Sequence, residues 1–248
     1  QTKLRGNVRY KRLLLDKRDV ELNNQVSEQK LESVGTLRNL TILFCDIKGF
    51  TPFSESLSAY DVIFILNRYF SIMREVIIRH GGEINNYIGD AILAIFGLKE
   101  SKQQALRAVS AGLEMTRAMD EFKSYLKTAY GRDFDIRVGI HYGEVISGSV
   151  GLGEDKKVTV IGDTVNVASR IEAINKEAGT RLLISETVHE LVKNDVTVSN
   201  YLRLKLRGTS NLITLHEVND VNSAAMNFDA PETEKIIGDT IWFRTLPN

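Results

Sequence analysis

The apolar positions of the chain fall into short runs and helical stripes whose order specifies a fold. From Leu40 to Ile47 the near-continuous run LTILFCDI predicts a strand buried on both faces. Thr51-Pro52 then reads as a helix N-cap with proline at the first helical position. A second helical stretch carries the stripe Val62, Leu66, Tyr69 and Met73 and stops at His80-Gly81-Gly82. Glu83 to Ile88 and Ala91 to Phe96 are two short strands separated by Gly89-Asp90, and a two-residue loop with glycine first predicts a type II′ hairpin. An amphipathic helix from Ser101 to Ala129 and a strand from Phe134 to Ile140 complete the order strand, helix, strand, strand, helix, strand. That order predicts an α+β fold with a ferredoxin-like βαββαβ core.

Further elements follow the core. The segment GIHYGEVISGSVG, Gly139 to Gly151, reads as hairpin-like; Lys157 to Ile161 is a strand and Thr164 to about Ala178 a helix. RLLIS at 181–185, a short helix, and closing strands around Leu202 to Leu206 and Ile213 to Val218 end the pattern. Ahead of the core, Asn7 to Val34 contains no Gly or Pro and predicts one long helix. Leu4, Val8, Leu15 and Leu22 give it a near-heptad seam that Lys11, Arg18, Gln25 and Gln29 interrupt, so it reads as a weak coiled coil or a solvated helix, ended by Gly35. The expected organisation is a helical linker at 1–38, one main domain at 39–218, and an extension of unassigned role at 219–248.

Composition narrows the partners. The chain has 248 residues, 43% hydrophobic and 26% charged, which fits a folded domain rather than a disordered one. Its 32 basic and 32 acidic residues leave no global field for a polyanion, so nucleic acid is not an expected partner. The single cysteine, Cys45, cannot form an internal disulfide and reads as a small buried residue; with no zinc-type Cys/His spacing, a reducing, cytoplasmic setting is expected. The four histidines, His80, His141, His189 and His216, are scattered and show no ligand spacing. No apolar run approaches the ~20 residues that span a bilayer. The chain starts at Gln1 rather than Met, so an upstream sensor or transducer region, within a larger or membrane-attached protein, is expected.

The candidate chemistry rests on two aspartates. Asp46 lies in an apolar strand, where an ionised carboxylate costs several kcal/mol unless a cation or hydrogen bonds compensate. Asp90 sits at the tip of the predicted hairpin. If that hairpin flanks the first strand, both carboxylates reach one sheet end and require positive charge between them.

Four segments carry a family resemblance: FCDIKGFTPFSE at Phe44 to Glu55, YIGDAILAIFG at Tyr87 to Gly97, RVGIHYGEVISGSVG at Arg137 to Gly151, and VIGDTVNVASRIE at Val160 to Glu172. Together they resemble the class III adenylate and guanylate cyclases over roughly Asn39 to Val218. The resemblance implies that Asp46, Asp90 and the backbone carbonyl of Ile47 bind two Mg²⁺ or Mn²⁺ ions per active site. It implies that the loop with Gly49, Phe50 and Thr51 receives phosphate oxygens at a helix start, and that Asn166 and Arg170, four apart on one helix face, orient ribose and stabilise the transferring phosphoryl group. Arg207 resembles a phosphate ligand that is more often lysine. Family members form head-to-tail dimers with shared sites, so a homodimer is expected.

Base choice in the family depends on the positions of Asn86 and Thr159. Thr159 suits adenine, whereas the amide of Asn86 stands where lysine is usual and can both donate and accept. ATP is therefore the expected substrate, with incomplete exclusion of GTP. A guanylate or mixed-purine cyclase, and a non-catalytic nucleotide-binding regulatory domain, are the alternatives.

Overall fold

A computed structural model describes residues 35–99, 102–150, 157–205 and 212–222. The predicted N-terminal helix, Arg207 and nearly all of the 219–248 extension lie outside the described residues. The elements are β1 (Thr36–Lys48), α1 (Phe50–Ser54), α2 (Ala59–Arg79), β2 (Glu83–Ile88), β3 (Ala91–Phe96), α3 (Gln104–Tyr130), β4 (Asp135–Val150), β5 (Lys157–Ile161), α4 (Asp163–Ala178), β6 (Leu182–Ser185), α5 (Glu186–Val192), β7 (Val196–Lys205) and β8 (Leu212–Val221). The fold is α+β, as its apolar periodicities predict.

The chain forms two compact units. The larger takes in Asn39 to Val145 and the residues from Gly162 onward, and its strands run in the order β2-β3-β1-β4-β6-β8-β7. The first four of these are the ferredoxin-like set. In the smaller unit the end of β4 pairs antiparallel with β5, from Ile146↔Ile161 to Val150↔Lys157, and Ser147 Oγ donates to the Thr36 carbonyl at 3.3 Å.

The larger unit's sheet is covered on both faces. Leu43, Cys45 and Ile47 of β1 and Ile136, Val138 and Ile140 of β4 share a core with Tyr69 and Met73 of α2 and Met115 and Met119 of α3. Leu182 and Ile184 belong to that core, whereas Leu183 between them packs with Ile171 of α4, so α4 lies on the opposite face. Alternation therefore puts Asp46 and Arg137, each flanked by residues of the first core, on the α4 side. Cys45 is fully buried with its Sγ 3.4 Å from the Tyr69 hydroxyl, and burial pushes the thiol up to about 12.

Two local expectations are corrected. The first short helix is capped by Gly49, not Thr51: Gly49 adopts φ 81°, a left-handed turn that takes the chain from strand into helix at once. Gly139 to Val150 is no hairpin but part of one 16-residue strand. Its glycines mark close approaches instead of turns. A Cβ at Gly139 would sit 2.2 Å from the Glu172 nitrogen and 2.6 Å from the Ala168 carbonyl, so α4 rests directly on the β4 backbone.

Candidate active site

The hairpin forms as its sequence predicts. Ile88 pairs with Ala91 across the two-residue turn Gly89-Asp90, and Gly89 has φ 63°. Gln103 is the one non-glycine with positive φ among the described residues, so Asp90 has negative φ, which excludes type I′ and fits type II′. The β1–β3 register ends at Cys45↔Ile92, which brings Asp46, one residue further on β1, beside the turn carrying Asp90. The two carboxylates meet. Burial first, then the charge of Asp46 and a hydrogen bond with it, raise the Asp90 carboxyl above its ordinary range.

The compensating charge for Asp46 comes from β4. Arg137 Nη2 donates to Asp46 Oδ2 at 3.1 Å, and Arg137 Nε lies 2.8 Å from Glu172 Oε1 on α4. The second contact is an ion pair without hydrogen-bond alignment, since neither atom has a hydrogen-bond partner. Glu172 is buried, and desolvation outweighs the nearby guanidinium, with Asp46 and Asp90 adding to the rise; its carboxyl is pushed up to about 7. Three acidic groups thus surround one guanidinium, an arrangement short of positive charge. Acidic oxygens at two adjacent positions fit hard divalent cations such as Mg²⁺ or Mn²⁺.

Ile47 is buried, following Asp46 on β1, and Gly49, Phe50 and Thr51 form the turn into α1. The phenyl ring of Phe53 beneath this turn packs edge-on against Phe134 at 4.9 Å, which fixes α1 to the core. Asn86 is exposed on β2 opposite Leu93, just past a bulge at the buried Asn85. Thr159 is on β5 in the smaller unit, opposite Gly148.

Asn166 and Arg170 lie on α4, exposed and half-buried. The helix carrying them is well anchored: Thr164 Oγ1 donates to the Glu144 carbonyl at 2.6 Å, and the buried Asn175 Nδ2 to the Val138 carbonyl at 3.0 Å. Among the described residues neither Asn166 nor Arg170 forms a side-chain hydrogen bond or ion pair with Asp46 or Asp90. Within one chain, therefore, the aspartates come together, and the Asn/Arg pair makes no direct bond to them.

The motif reading overlooked Arg137 and Glu172. Arg137 stands in an apolar strand just as Asp46 does, and the same desolvation argument would have singled it out. The histidines also differ from expectation: His189 and His216, distant in sequence, stack with ring centroids 3.9 Å apart.

A family model described as the adenylate and guanylate cyclase catalytic domain matches residues 33–218. An adenylate cyclase of Anabaena cylindrica is 36% identical over 207 residues, covering 78% of this chain and 40% of its own length. The chain thus spans less than half of that relative. The crystal structure of the guanylyl cyclase Cya2 is similar with a TM-score of 0.72 and 34% identity, over 79% of this chain and 98% of that one. The adenylyl cyclase CyaB from P. aeruginosa follows with a TM-score of 0.68 and 30% identity, over 75% and 95%.

Proposed function

Since the chain belongs to the family of adenylate and guanylate cyclase catalytic domains, we propose that it converts ATP to 3′,5′-cyclic AMP and pyrophosphate. The convergence of Asp46 and Asp90 carries this reading, because two neighbouring carboxylates, with one guanidinium paired to Asp46, are suited to hold divalent cations. With Asp46, Asp90 and the Ile47 carbonyl as ligands, two bound Mg²⁺ or Mn²⁺ ions would activate the ribose 3′-hydroxyl and neutralise the triphosphate.

The remaining roles belong to the chain. The backbone around Gly49, Phe50 and Thr51 receives phosphate oxygens, and Arg207 adds positive charge to the triphosphate. Asn166 holds the ribose so that its 3′-oxygen faces the α-phosphorus. Arg170 stabilises the charge that develops on the transferring phosphoryl group, a task suited to a permanently charged, planar guanidinium. Thr159 and Asn86 read the adenine edge.

The site is shared across a homodimer, with Asp46 and Asp90 from one protomer and Asn166 and Arg170 from its partner. That Asn166 and Arg170 make no hydrogen bond or ion pair to either aspartate within one chain, among the described residues, favours this. Asp46→Ala and Arg170→Ala are then each inactive alone, and mixing them under exchange conditions restores partial turnover. No recovery in a verified mixed dimer would count against shared sites.

A mixed-purine reading has a specific observation behind it: Asn86 is an exposed amide, able to satisfy either purine edge. Turnover of ATP and GTP with Mn²⁺, followed by chromatography, decides the matter. ATP is expected to lead by about tenfold, the worth of one neutral hydrogen bond, and Asn86→Lys to widen the gap. Equal or higher kcat/KM for GTP overturns the adenylate assignment, and binding without product supports a regulatory nucleotide-binding domain instead.

A further inference from the structure

A second group of ligand-type side chains lies on α5 and β8, outside the carboxylate site. Ser185 ends β6 and caps α5, its Oγ accepting from the Val188 N–H at 3.4 Å. Glu186 and His189 then fall three apart on one helical face. The register Ile184↔His216 sets His216 of β8 beside them. His216 Nε2 lies 2.6 Å from Glu186 Oε2, and the His189 ring stacks on that of His216 at 15° between planes. The candidate ligand atoms of all three residues lie within 4.8 Å of one another.

The geometry points to a transition-metal site formed by Glu186, His189 and His216, with Zn²⁺ as the matching ion. A carboxylate hydrogen-bonded to one imidazole would be complete with two residues. The third residue adds a different feature: His189 Nδ1 is buried and has no hydrogen-bond partner among the described residues. A buried polar atom left unpaired calls for a partner. Two face-to-face imidazoles also repel when both are protonated, and burial together with His216 holds the His189 ring below its usual range. A neutral His189 ring offers a lone pair.

Two imidazole nitrogens and one carboxylate oxygen form a donor set suited to Zn²⁺, with an open position left for water. Asp46, Asp90 and the Ile47 carbonyl present oxygen alone, which suits Mg²⁺ or Mn²⁺. The two sites therefore differ in chemistry as well as place, and this inference does not depend on the proposed catalytic reading. Coordination asks the stacked rings to turn so that their in-plane lone pairs converge, and asks Glu186, which is exposed, to rotate toward them. An ion there would tie α5 to β8 and so brace the edge of the sheet formed by β6, β8 and β7.

The test uses the full chain, stripped of metal and then held in excess Mg²⁺ to occupy the carboxylate site. Zn²⁺ is titrated against a chromophoric chelator for the parent protein, His189→Ala, Glu186→Gln and Asp46→Asn, with circular dichroism confirming that each is folded. One tight Zn²⁺ per chain is expected, weakened at least about tenfold in His189→Ala and Glu186→Gln and unchanged in Asp46→Asn. Zn²⁺ should raise the Tm of the parent protein but not that of His189→Ala. Equal affinity in the parent and His189→Ala, or loss of the tight ion in Asp46→Asn, overturns the proposal.

Discussion

Glu172 provides the sharpest physical test of the charge arrangement around Asp46. Its side chain is 6% exposed, so the effect of burial needs no discount for solvent screening. The carboxyl is displaced from an ordinary 4.5 to about 7 in the folded chain, chiefly by desolvation. Between those values the folded state binds a proton that the unfolded state has released, so stability falls as pH rises. The contribution is fully present below pH 4.5 and is lost as pH passes through about 7. At 1.36 kcal/mol per pH unit, the loss amounts to about 3 kcal/mol. Glu172→Gln keeps the shape of the protonated side chain and cannot titrate. Urea denaturation followed by circular dichroism, in chelator and at steps from pH 4.5 to 8, gives the stability of both proteins. The parent should lose about 3 kcal/mol relative to the variant across that window. A difference that stays constant with pH would refute the argument that burial dominates at Glu172.

Three further outcomes follow from neighbouring contacts. Arg137→Met removes the cation shared by Asp46 and Glu172 and should destabilise by about 3–5 kcal/mol at pH 8, less where Glu172 is protonated; a double-mutant cycle with Glu172→Gln should show coupling above about 0.5 kcal/mol. Gly139→Ala places a methyl against α4 backbone at 2.2 Å, so the helix must shift; a loss of about 1–3 kcal/mol in stability and a fall in turnover should appear together. Burial lowers the His141 imidazole from 6.5 to about 4, so its contribution is present above pH 6.5 and is lost as pH falls through about 4. His141→Asn should remove up to about 3 kcal/mol of that acid-side loss, measured by thermal melts.

Much of the core was legible because its signals are local. The apolar run of β1, the Gly-first turn at Asp90 and the stripe of α2 each follow from short-range periodicity, and β5 lies where its run places it. The misreadings arose where distant contacts decide. Glycines in β4 look like turn residues in one dimension, yet Gly139 is small because α4 presses on it. Arg137 needed its partners, Asp46 and Glu172, which are brought to it by the β1–β4 pairing and by α4. The histidine stack was invisible for the same reason, since a strand register joins residues separated by most of a helix and a hairpin.

The turn at Gly89-Asp90 makes the hairpin a ruler. Because strand side chains alternate, gaining or losing one residue in β3 would send Asp90 to the wrong side of the sheet while leaving every hydrogen-bonded rung available. Composition in this stretch can drift, but its length cannot. Chains descended from a common ancestor should therefore accumulate their gaps elsewhere, and an indel between Ala91 and Cys45's partner Ile92 would mark a member that has abandoned the paired-carboxylate chemistry.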